Sequence, residues 1–493
     1  MRFLTQQFGY WGYAIRRFLE ENQGEGSSSE AYGGYSAIVY IDGSSVIARD
    51  YKGNIIASGT AGTDDVSVIN SAVSSLSTIG KRLLYFDGAF HIDSAIEVTV
   101  DNGFLNFGNS IFYVDTNDCC FKFNGATGSI IDGGYFIGNA SYTGIPIKII
   151  SGTGFLFGTL KGYDLNNWFL YIDKTAGEIY DIVVGSAYLT TCKGFLYARW
   201  TSGSPGVASL SGQFGLIRFN PGTTRKTDGQ IIKLDGIHDA SFTNIIGGSY
   251  KDCVELNNCK AISLGQLNLT AWDEGYALKL TQSGANTCQQ ILIGQLNSID
   301  SYKGVYIQAI KVYMNNVTVI KSKLEGVKLE GSTNKAKSVF INNIRIGDSN
   351  QNSQSGIYDL VCDTDGIVSI KNGIIESTNP DANISVPSNN NLSLDSVALY
   401  NPNSNWTNKP AKLSRVNIGG KWSEAEGSAT IANGNTSVTV NHGLADTPTN
   451  IQLTGTHSEV KDAYVTNPGA TSFTIQVDSA VTADRVVHWR AKV

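Results

Sequence analysis

Short runs in which apolar and polar residues alternate, separated by glycine and asparagine, dominate the sequence. In one example Tyr276, Leu278 and Leu280 occupy alternate positions, with Ala277 and Lys279 between them. A period of two in short runs broken by turn residues predicts β-strands rather than helices. The chain is therefore expected to be all-β over most of its length.

These strands belong to a repeat in the centre of the chain. Residues 264–268 (LGQLN) recur as residues 293–297 (IGQLN), and residues 274–278 (EGYAL) recur in type as residues 303–307 (KGVYI), both at an offset of 29. Weaker copies pair residues 314–317 with 341–344. Two independent matches at one offset indicate a structural repeat.

A repeat of this length that is made of strands predicts a solenoid. The Leu/Asn consensus of leucine-rich repeats is missing, so we expect a parallel β-helix over about 60–398, with one coil per repeat. Equivalent residues of stacked coils would then lie about 4.8 Å apart. Ile262 should lie beside Ile291, and Gly275 above or below Gly304.

The pattern of residues 35–91 predicts the segment that leads into the first coil of the solenoid, which we call its entrance. Residues 37–43 and 46–49 suggest a hairpin, and a helix should follow, with Thr63 or Asp64 as its N-cap. Its apolar face would be formed by Val66, Ile69, Ala72, Val73 and Leu76. A helix across a solenoid end blocks both strand pairing and water.

This entrance resembles that of the pectate-lyase-like β-helix superfamily, which includes viral tailspikes. The resemblance rests on a glycine followed by Asp64-Asp65 before the helix, and on residues 86–92 (FDGAFHI), which match a Phe-x-Gly-x-Phe/Tyr-x-Ile strand. It implies a right-handed parallel β-helix, with coils over 92–398. A fold-level motif of this kind says little about chemistry.

Residues 1–22 carry a different pattern, an apolar stripe with heptad-like spacing that predicts an amphipathic helix. The stripe consists of Leu4, Phe8, Trp11, Ile15 and Phe18. The segment lacks the uninterrupted apolar region of a signal peptide. Such a short helix should pack on something, either its own copies, a larger assembly or a membrane surface. Residues 23–34 have the composition of a flexible linker.

The C-terminal part predicts a second unit. Residues 399–427 suggest a linker, and the alternating runs of 428–493 suggest a small β-sandwich. Residues 440–444 (VNHGL), with Pro448 and the closing WRAKV, resemble C-terminal domains of viral fibre and spike proteins. Within this segment, His442 is either a turn residue or a ligand.

Composition narrows the classes of function. The net charge is −6 and the pI is near 5.5, so the sequence lacks the excess of positive charge that is typical of nucleic-acid-binding proteins. We find no apolar run of the roughly 18 residues that a membrane span needs. The 7 cysteines and 5 histidines have no metal-site spacing, so no metal is expected. Cys259 and Cys288, also 29 apart, should stack on neighbouring coils, either as buried thiols or as a disulfide.

The sequence contains no phosphate loop, dinucleotide fingerprint or Ser-His-Asp order, so we expect no cofactor and assign no catalytic residue. One constellation could hold a glycan, because the coil offset would bring acids beside aromatic rings. It consists of Trp272, Asp273, Glu274, Asp300 and Tyr302. The alternative is that these are solvated turn residues.

Asn-x-Ser/Thr sequons mark further candidate sites, for N-glycosylation in a host that performs it. They are Asn139, Asn268, Asn316, Asn383, Asn391, Asn405 and Asn435.

The order of anchoring helix, linker, solenoid and terminal β-domain resembles the plan of a viral spike. This resemblance implies a structural protein on the virion surface, an extracellular location and a homotrimer. Its partners would be a capsid or other virion protein at the N-terminal helix and a host surface glycan or glycoprotein. The alternatives are a β-helix polysaccharide depolymerase, acting as a glycoside hydrolase or lyase, and a cellular surface adhesin.

Overall fold

The computed structural model describes residues 35–79, 82–174, 178–200, 208–222, 226, 228–282, 288–330, 338–350, 354–364, 366–376, 383–386, 391–401, 406–408 and 410–493. The predicted N-terminal helix and the linker after it lie outside these residues.

The central part is a parallel β-helix in which each coil alternates between two sheets. The shorter strands form a 12-stranded sheet, here called sheet B. Its strands are Ile96–Val98, Cys119–Phe123, Ile145–Ile149, Trp168–Asp173, Gly194–Arg199, Ile232–Asp235, Val254–Asn257, Tyr276–Thr281, Lys303–Ile307, Val327–Glu330, Leu360–Asp363 and Ile384–Ser385.

The longer strands of the coils form most of a second sheet, here called sheet A, which also includes short strands at both ends. Its coil strands are Leu83–Asp87, Ala89–Ile92, Phe104–Val114, Ala126–Thr127, Ile130–Gly138, Gly152–Tyr163, Ile179–Thr190, Ala208–Asn220, Ile237–Ser249, Lys260–Ala271, Gln289–Ile299, Lys311–Ile320, Ser338–Gly347, Ile367–Glu376 and Leu392–Tyr400. The all-β fold class and the β-helix prediction are confirmed.

The register between coils confirms one of the two stacking predictions. Ile262 lies beside Ile291 in a parallel pair. The prediction that Gly275 stacks on Gly304 is wrong, because the register is 29 residues between Leu269 and Ser298 but 27 between Tyr276 and Lys303. The turn from sheet A to sheet B is two residues shorter in the second coil, and this shortening shifts the pairs of the sheet B strand that follows it.

The core lies inside the coils, where alternate residues of both sheets point inward. Near the N-terminal end it is aromatic: Phe107 packs against Phe112 and Phe121, with ring centroids 4.8 Å apart in both pairs. All three rings are fully buried. Burial of such rings supplies the apolar transfer energy, and the Phe107–Phe112 pair adds a favourable edge-to-face contact.

The N-terminal end of the core is covered as the sequence predicts. Strands Ala37–Asp42, Ser45–Asp50 and Ile55–Thr60 form an antiparallel meander. Helix Asp65–Ile79 then buries the predicted apolar face, together with Val68.

Asp65 connects the helix start to the first coil. Its carboxylate is fully buried and accepts hydrogen bonds from the backbone N–H of Gly62 (2.9 Å) and of His91 (2.7 Å). His91 belongs to strand Ala89–Ile92, so one side chain holds the turn, the helix and the first coil together. Asp64 instead accepts from the backbone N–H of Thr60.

At the C-terminal end the solenoid extends further than the sequence indicates. Strands Lys412–Ser414 and Asn417–Ile418 pair in parallel with the last long strand, and Lys421–Trp422 folds back on the second of them. These residues lie within the predicted linker 399–427, so that prediction is wrong for them. Their strands are too short to carry a recognisable alternation.

The C-terminal domain has two three-stranded antiparallel sheets around a core of its own. One sheet contains Glu424–Ile431, Asn450–Gly455 and Arg485–Lys492; the other contains Ser437–Asn441, Tyr464–Thr466 and Ser472–Gln476. A 3₁₀ turn, Ser458–Val460, lies between the strands. The rings of Phe473 and Trp489 meet edge to face in this core, 5.5 Å apart.

We predict that Asp65→Asn destabilises the β-helix by about 1–3 kcal/mol, because the new amide NH₂ faces a backbone N–H in a buried site. Thermal or denaturant unfolding would measure the change. The matched control is Asp93→Asn, the same substitution at an exposed residue two positions after His91. Equal midpoints for the two variants would contradict the role given to Asp65.

Candidate functional site

The predicted constellation lies at the turns between the two sheets. Residues 272–275 connect strand Lys260–Ala271 to strand Tyr276–Thr281, and residues 300–302 make the equivalent connection one coil later. The two turns are adjacent, since the backbone N–H of Lys303 donates to the carbonyl oxygen of Gly275 (3.1 Å). The structure therefore brings the five predicted residues onto neighbouring turns.

The acids of this constellation do not form a paired site. Asp273, Glu274 and Asp300 are exposed, and within the described residues no hydrogen bond or ion pair joins one to another. Asp300 has a left-handed backbone, with φ of 54°. The same position, directly after a long strand, also has positive φ in other coils, at Asp164, Thr191, Lys321 and Asp348. The corner geometry alone accounts for a polar residue there.

A second surface, which no constant sequence offset marks, runs along sheet B. In each of the first ten strands, one residue points outward between two buried neighbours, and the parallel register stacks these residues in one line. We call this line the outer row. It consists of Glu97, Lys122, Lys148, Tyr171, Tyr197, Lys233, Glu255, Lys279, Tyr306 and Lys328.

The two adjacent tyrosines of the outer row form part of an open groove of about 350 Å³. The ring of Tyr197 lies 5.3 Å from that of Tyr171 and 5.5 Å from that of Trp168. The groove is lined by Asn117, Asp118, Ile145, Lys148, Asn167, Trp168, Tyr171 and Tyr197. We call it the aromatic groove.

Hydrogen bonds between coils hold the polar wall of the groove in place. The side-chain amide of Asn167 donates to the carbonyl oxygen of Thr143 (2.7 Å). The backbone N–H of Thr143 donates in turn to the side-chain oxygen of Asn117 (2.9 Å). These side chains are therefore fixed before any ligand arrives, which reduces the entropy lost on binding.

Tyr171 is held by a charged pair beside it. Arg199 donates to Asp173 (2.7 Å), and its guanidinium carbon lies 5.4 Å from the centre of the Tyr171 ring. The Tyr171 hydroxyl lies 3.3 Å from the same carboxylate. Burial, and then the charge of Asp173, raise the pKa of Tyr171 well above its usual value. The hydroxyl therefore remains a protonated donor at all physiological pH values.

Aromatic faces next to fixed amides, a carboxylate and an ammonium provide what a sugar ring requires. The C–H face of a sugar can pack on the partly exposed ring of Tyr171 or Tyr197, while its hydroxyl groups exchange hydrogen bonds with the polar wall.

The outer row has a sequence signal, but it is not a fixed period. Each member lies between two apolar residues, as in Phe121-Lys122-Phe123 and Leu170-Tyr171-Ile172. The spacing between successive members varies with the turns, from 22 residues between Lys233 and Glu255 to 36 between Tyr197 and Lys233. A search at the offset of 29 cannot align them.

Cys259 and Cys288 lie on neighbouring coils as free, buried thiols. The backbone N–H after Cys288, that of Gln289, donates to the carbonyl oxygen of Cys259 (2.9 Å). Burial raises the pKa of Cys288 to about 12 and that of Cys259 well above its usual value. Neither thiol is therefore ionised at neutral pH, and neither has the character of a reactive cysteine.

The sequons differ in accessibility. Asn383 is fully buried and donates to Asp359, so it cannot accept a glycan in the folded protein. Asn268 and Asn316 each hydrogen bond to an asparagine one coil away. Asn405 lies outside the described residues. The exposed sequons are Asn139, Asn316, Asn391 and Asn435.

His442 has both ring nitrogens engaged within its own domain. Nδ1 accepts from the backbone N–H of Leu444 (3.0 Å), and Nε2 lies 3.0 Å from the carbonyl oxygen of Gly469. This accounts for the residue as part of a turn. Across the described residues, no three His, Cys, Asp or Glu side chains are grouped as metal ligands would be.

In the described part of the chain, none of the helices combines the length and apolar character that crossing a membrane requires. No protein-family model matches the sequence. No curated protein matches it either.

Several solved structures are similar in fold. The Dettilon tailspike protein aligns with a TM-score of 0.36 and 11% identity, covering 88% of this chain and 92% of its own. The A-module of the Azotobacter vinelandii mannuronan C-5 epimerase AlgE4 has a TM-score of 0.32 and 12% identity, with 73% and 94% covered. A tailspike variant of E. coli bacteriophage HK620, in complex with pentasaccharide, has a TM-score of 0.32 and 12% identity, with 90% and 92% covered. Values this low assign neither a family nor a function to this chain.

Proposed function

We propose that this protein is a virion surface spike that attaches to host surface glycans through the aromatic groove. The observation that carries the proposal is the cluster of Trp168, Tyr171 and Tyr197 beside fixed polar side chains. Large, rigid aromatic side chains contribute much contact area at a low cost in conformational entropy. This arrangement replaces the constellation around Trp272 as the primary glycan site.

The order of segments along the chain supports the spike role. The apolar stripe of residues 1–22 would dock in the particle or bundle three copies, and the C-terminal domain would face outward. Three-fold symmetry would give every copy an equivalent contact at the base. A stacked β-helix between the two ends is a stiff rod, which holds the groove away from the particle.

We predict that Tyr171→Ala and Tyr197→Ala each weaken glycan binding about tenfold, because each removes a stacking face and its contact area. Binding to an array of bacterial and eukaryotic surface polysaccharides would be measured for each variant. Tyr313→Ala is the matched control, since Tyr313 is an exposed tyrosine on sheet A. The groove assignment would be wrong if all three variants bound like the unaltered protein.

We predict that the protein binds polysaccharide without shortening it, since the exposed acids at the adjacent turns make no paired site. The average chain length of a bound polysaccharide, measured by size-exclusion chromatography, should stay constant. The replacement of Asp273 by Asn, Glu274 by Gln and Asp300 by Asn should then change nothing. The alternative, a depolymerase, would stand if chains became shorter and this triple change slowed cleavage by about 10²–10⁴.

We predict that the full-length chain forms a trimer and that a chain starting at residue 35 does not. The physical reason is that the truncation deletes the apolar stripe of Leu4, Phe8, Trp11, Ile15 and Phe18 that the copies would share. Mass measurement in solution and incorporation into particles would both be recorded. Monomers in both cases, with normal incorporation of the shortened chain, would contradict both proposed roles of the segment.

A further inference from the structure

Most cations of the sheet B face are paired with carboxylates of the protein itself. Six of them lie within salt-bridge distance of a carboxylate: Lys122 with Glu97 (2.7 Å), Lys148 with Asp118 (3.4 Å), Arg199 with Asp173 (2.7 Å), Lys233 with Glu255 (3.4 Å), Lys279 with Asp252 (2.9 Å) and Lys328 with Glu325 (3.8 Å). Lys303, at the start of its strand, instead has its ammonium 5.1 Å from the centre of the Tyr276 ring.

The pairs along the middle of the face are more than loose surface contacts. The acid side chains of Asp173, Asp252 and Glu255 are only 13%, 11% and 14% exposed. Burial by itself raises the pKa of Glu255, but a hydrogen bond from Gln230 and the charge of Lys279 bring it below its usual value. Glu255 is thus charged at neutral pH, and the low exposure of all three acids partly shields their ion pairs from salt.

From these pairs we infer that the ligand of the aromatic groove and the flanking outer row is a neutral glycan, without uronic acid, sulfate or sialic acid groups. The inference rests on the proposed function, and it narrows the class of glycan. An anionic sugar would have to separate a cation from its carboxylate and leave that carboxylate unpaired. This is unfavourable where the carboxylate is largely buried, as in Asp173, Asp252 and Glu255. The net charge of −6 adds a general repulsion of polyanions.

A neutral sugar can use these ion pairs without breaking them. Each pair presents a hydrogen-bond donor and an acceptor side by side, and two neighbouring sugar hydroxyl groups can donate to the carboxylate and accept from the ammonium. Because the charges cancel, such binding depends on shape and hydrogen bonds rather than on long-range attraction.

The test removes the compensating acids at the edge of the groove. Glu97→Gln together with Asp118→Asn leaves Lys122 and Lys148 without their partners, and both acids are about half exposed, at 45% and 58%, so the variant should fold. The control is Asp446→Asn together with Asp462→Asn, which removes the same charge from the C-terminal domain. Matched sets of neutral and uronic-acid-containing oligosaccharides would be the probes, each at low and high salt.

We expect the unaltered protein and the control to bind neutral oligosaccharides, with affinities that change little with salt. The groove variant should gain at least about tenfold in affinity for the uronic-acid set, and this gain should disappear at high salt. A preference of the unaltered protein for the acidic set, or a groove variant that gains no more than the control, would overturn the inference and leave the proposed function standing. Failure to bind any oligosaccharide or polysaccharide would overturn both.

Discussion

The structure depends on the in-register parallel stacking of strands whose residues alternate in polarity. The hydrogen bonds between coils fix the register, and the alternation then sends one set of side chains inward and the other outward. The inward set builds a continuous apolar core. The outward set forms lines of side chains in which Tyr171 follows Lys148 and Tyr197 follows Tyr171. The core and the candidate binding surface are therefore two results of one register.

A stack of this kind has two open ends, and the protein closes both. At the N-terminal end a helix covers the apolar core, and the buried carboxylate of Asp65 fixes the helix to the first coil. At the C-terminal end, short strands after residue 411 continue the last long strand, and an antiparallel strand folds back on them. Each closure satisfies or shields strand edges that would otherwise pair with another chain.

The sequence predicted those features that repeat with a constant period or have a local chemical signature. The pairing of Ile262 with Ile291 followed from a repeat at one offset, and the capping helix followed from its apolar face and the Asp64-Asp65 element. The prediction that Gly275 stacks on Gly304 was wrong because a turn differs in length between two coils. The aromatic groove was missed for the same reason, since its residues come from coils with different turn lengths. Turn length depends on corner geometry, which residue pattern alone does not determine.

The proposed binding face combines this scaffold with paired charges. In the proposed function, the aromatic rings would provide affinity, and the ion pairs would determine which glycans are tolerated. Both depend on side chains from separate coils, so neither exists without the register. The seven native cysteines are all buried as free thiols, which leaves the surface open to labels at introduced cysteines.

The central claim can be tested by one distance measurement between spin labels at Lys122→Cys and Lys328→Cys. The outer row separates these positions by eight coil steps, by way of Lys148, Tyr171, Tyr197, Lys233, Glu255, Lys279 and Tyr306. At about 4.8 Å per step, the labels should lie about 38 Å apart, and pulsed electron paramagnetic resonance should find a narrow distribution of distances. A broad distribution, or a separation far from this value, would contradict an in-register stack and the binding face that depends on it.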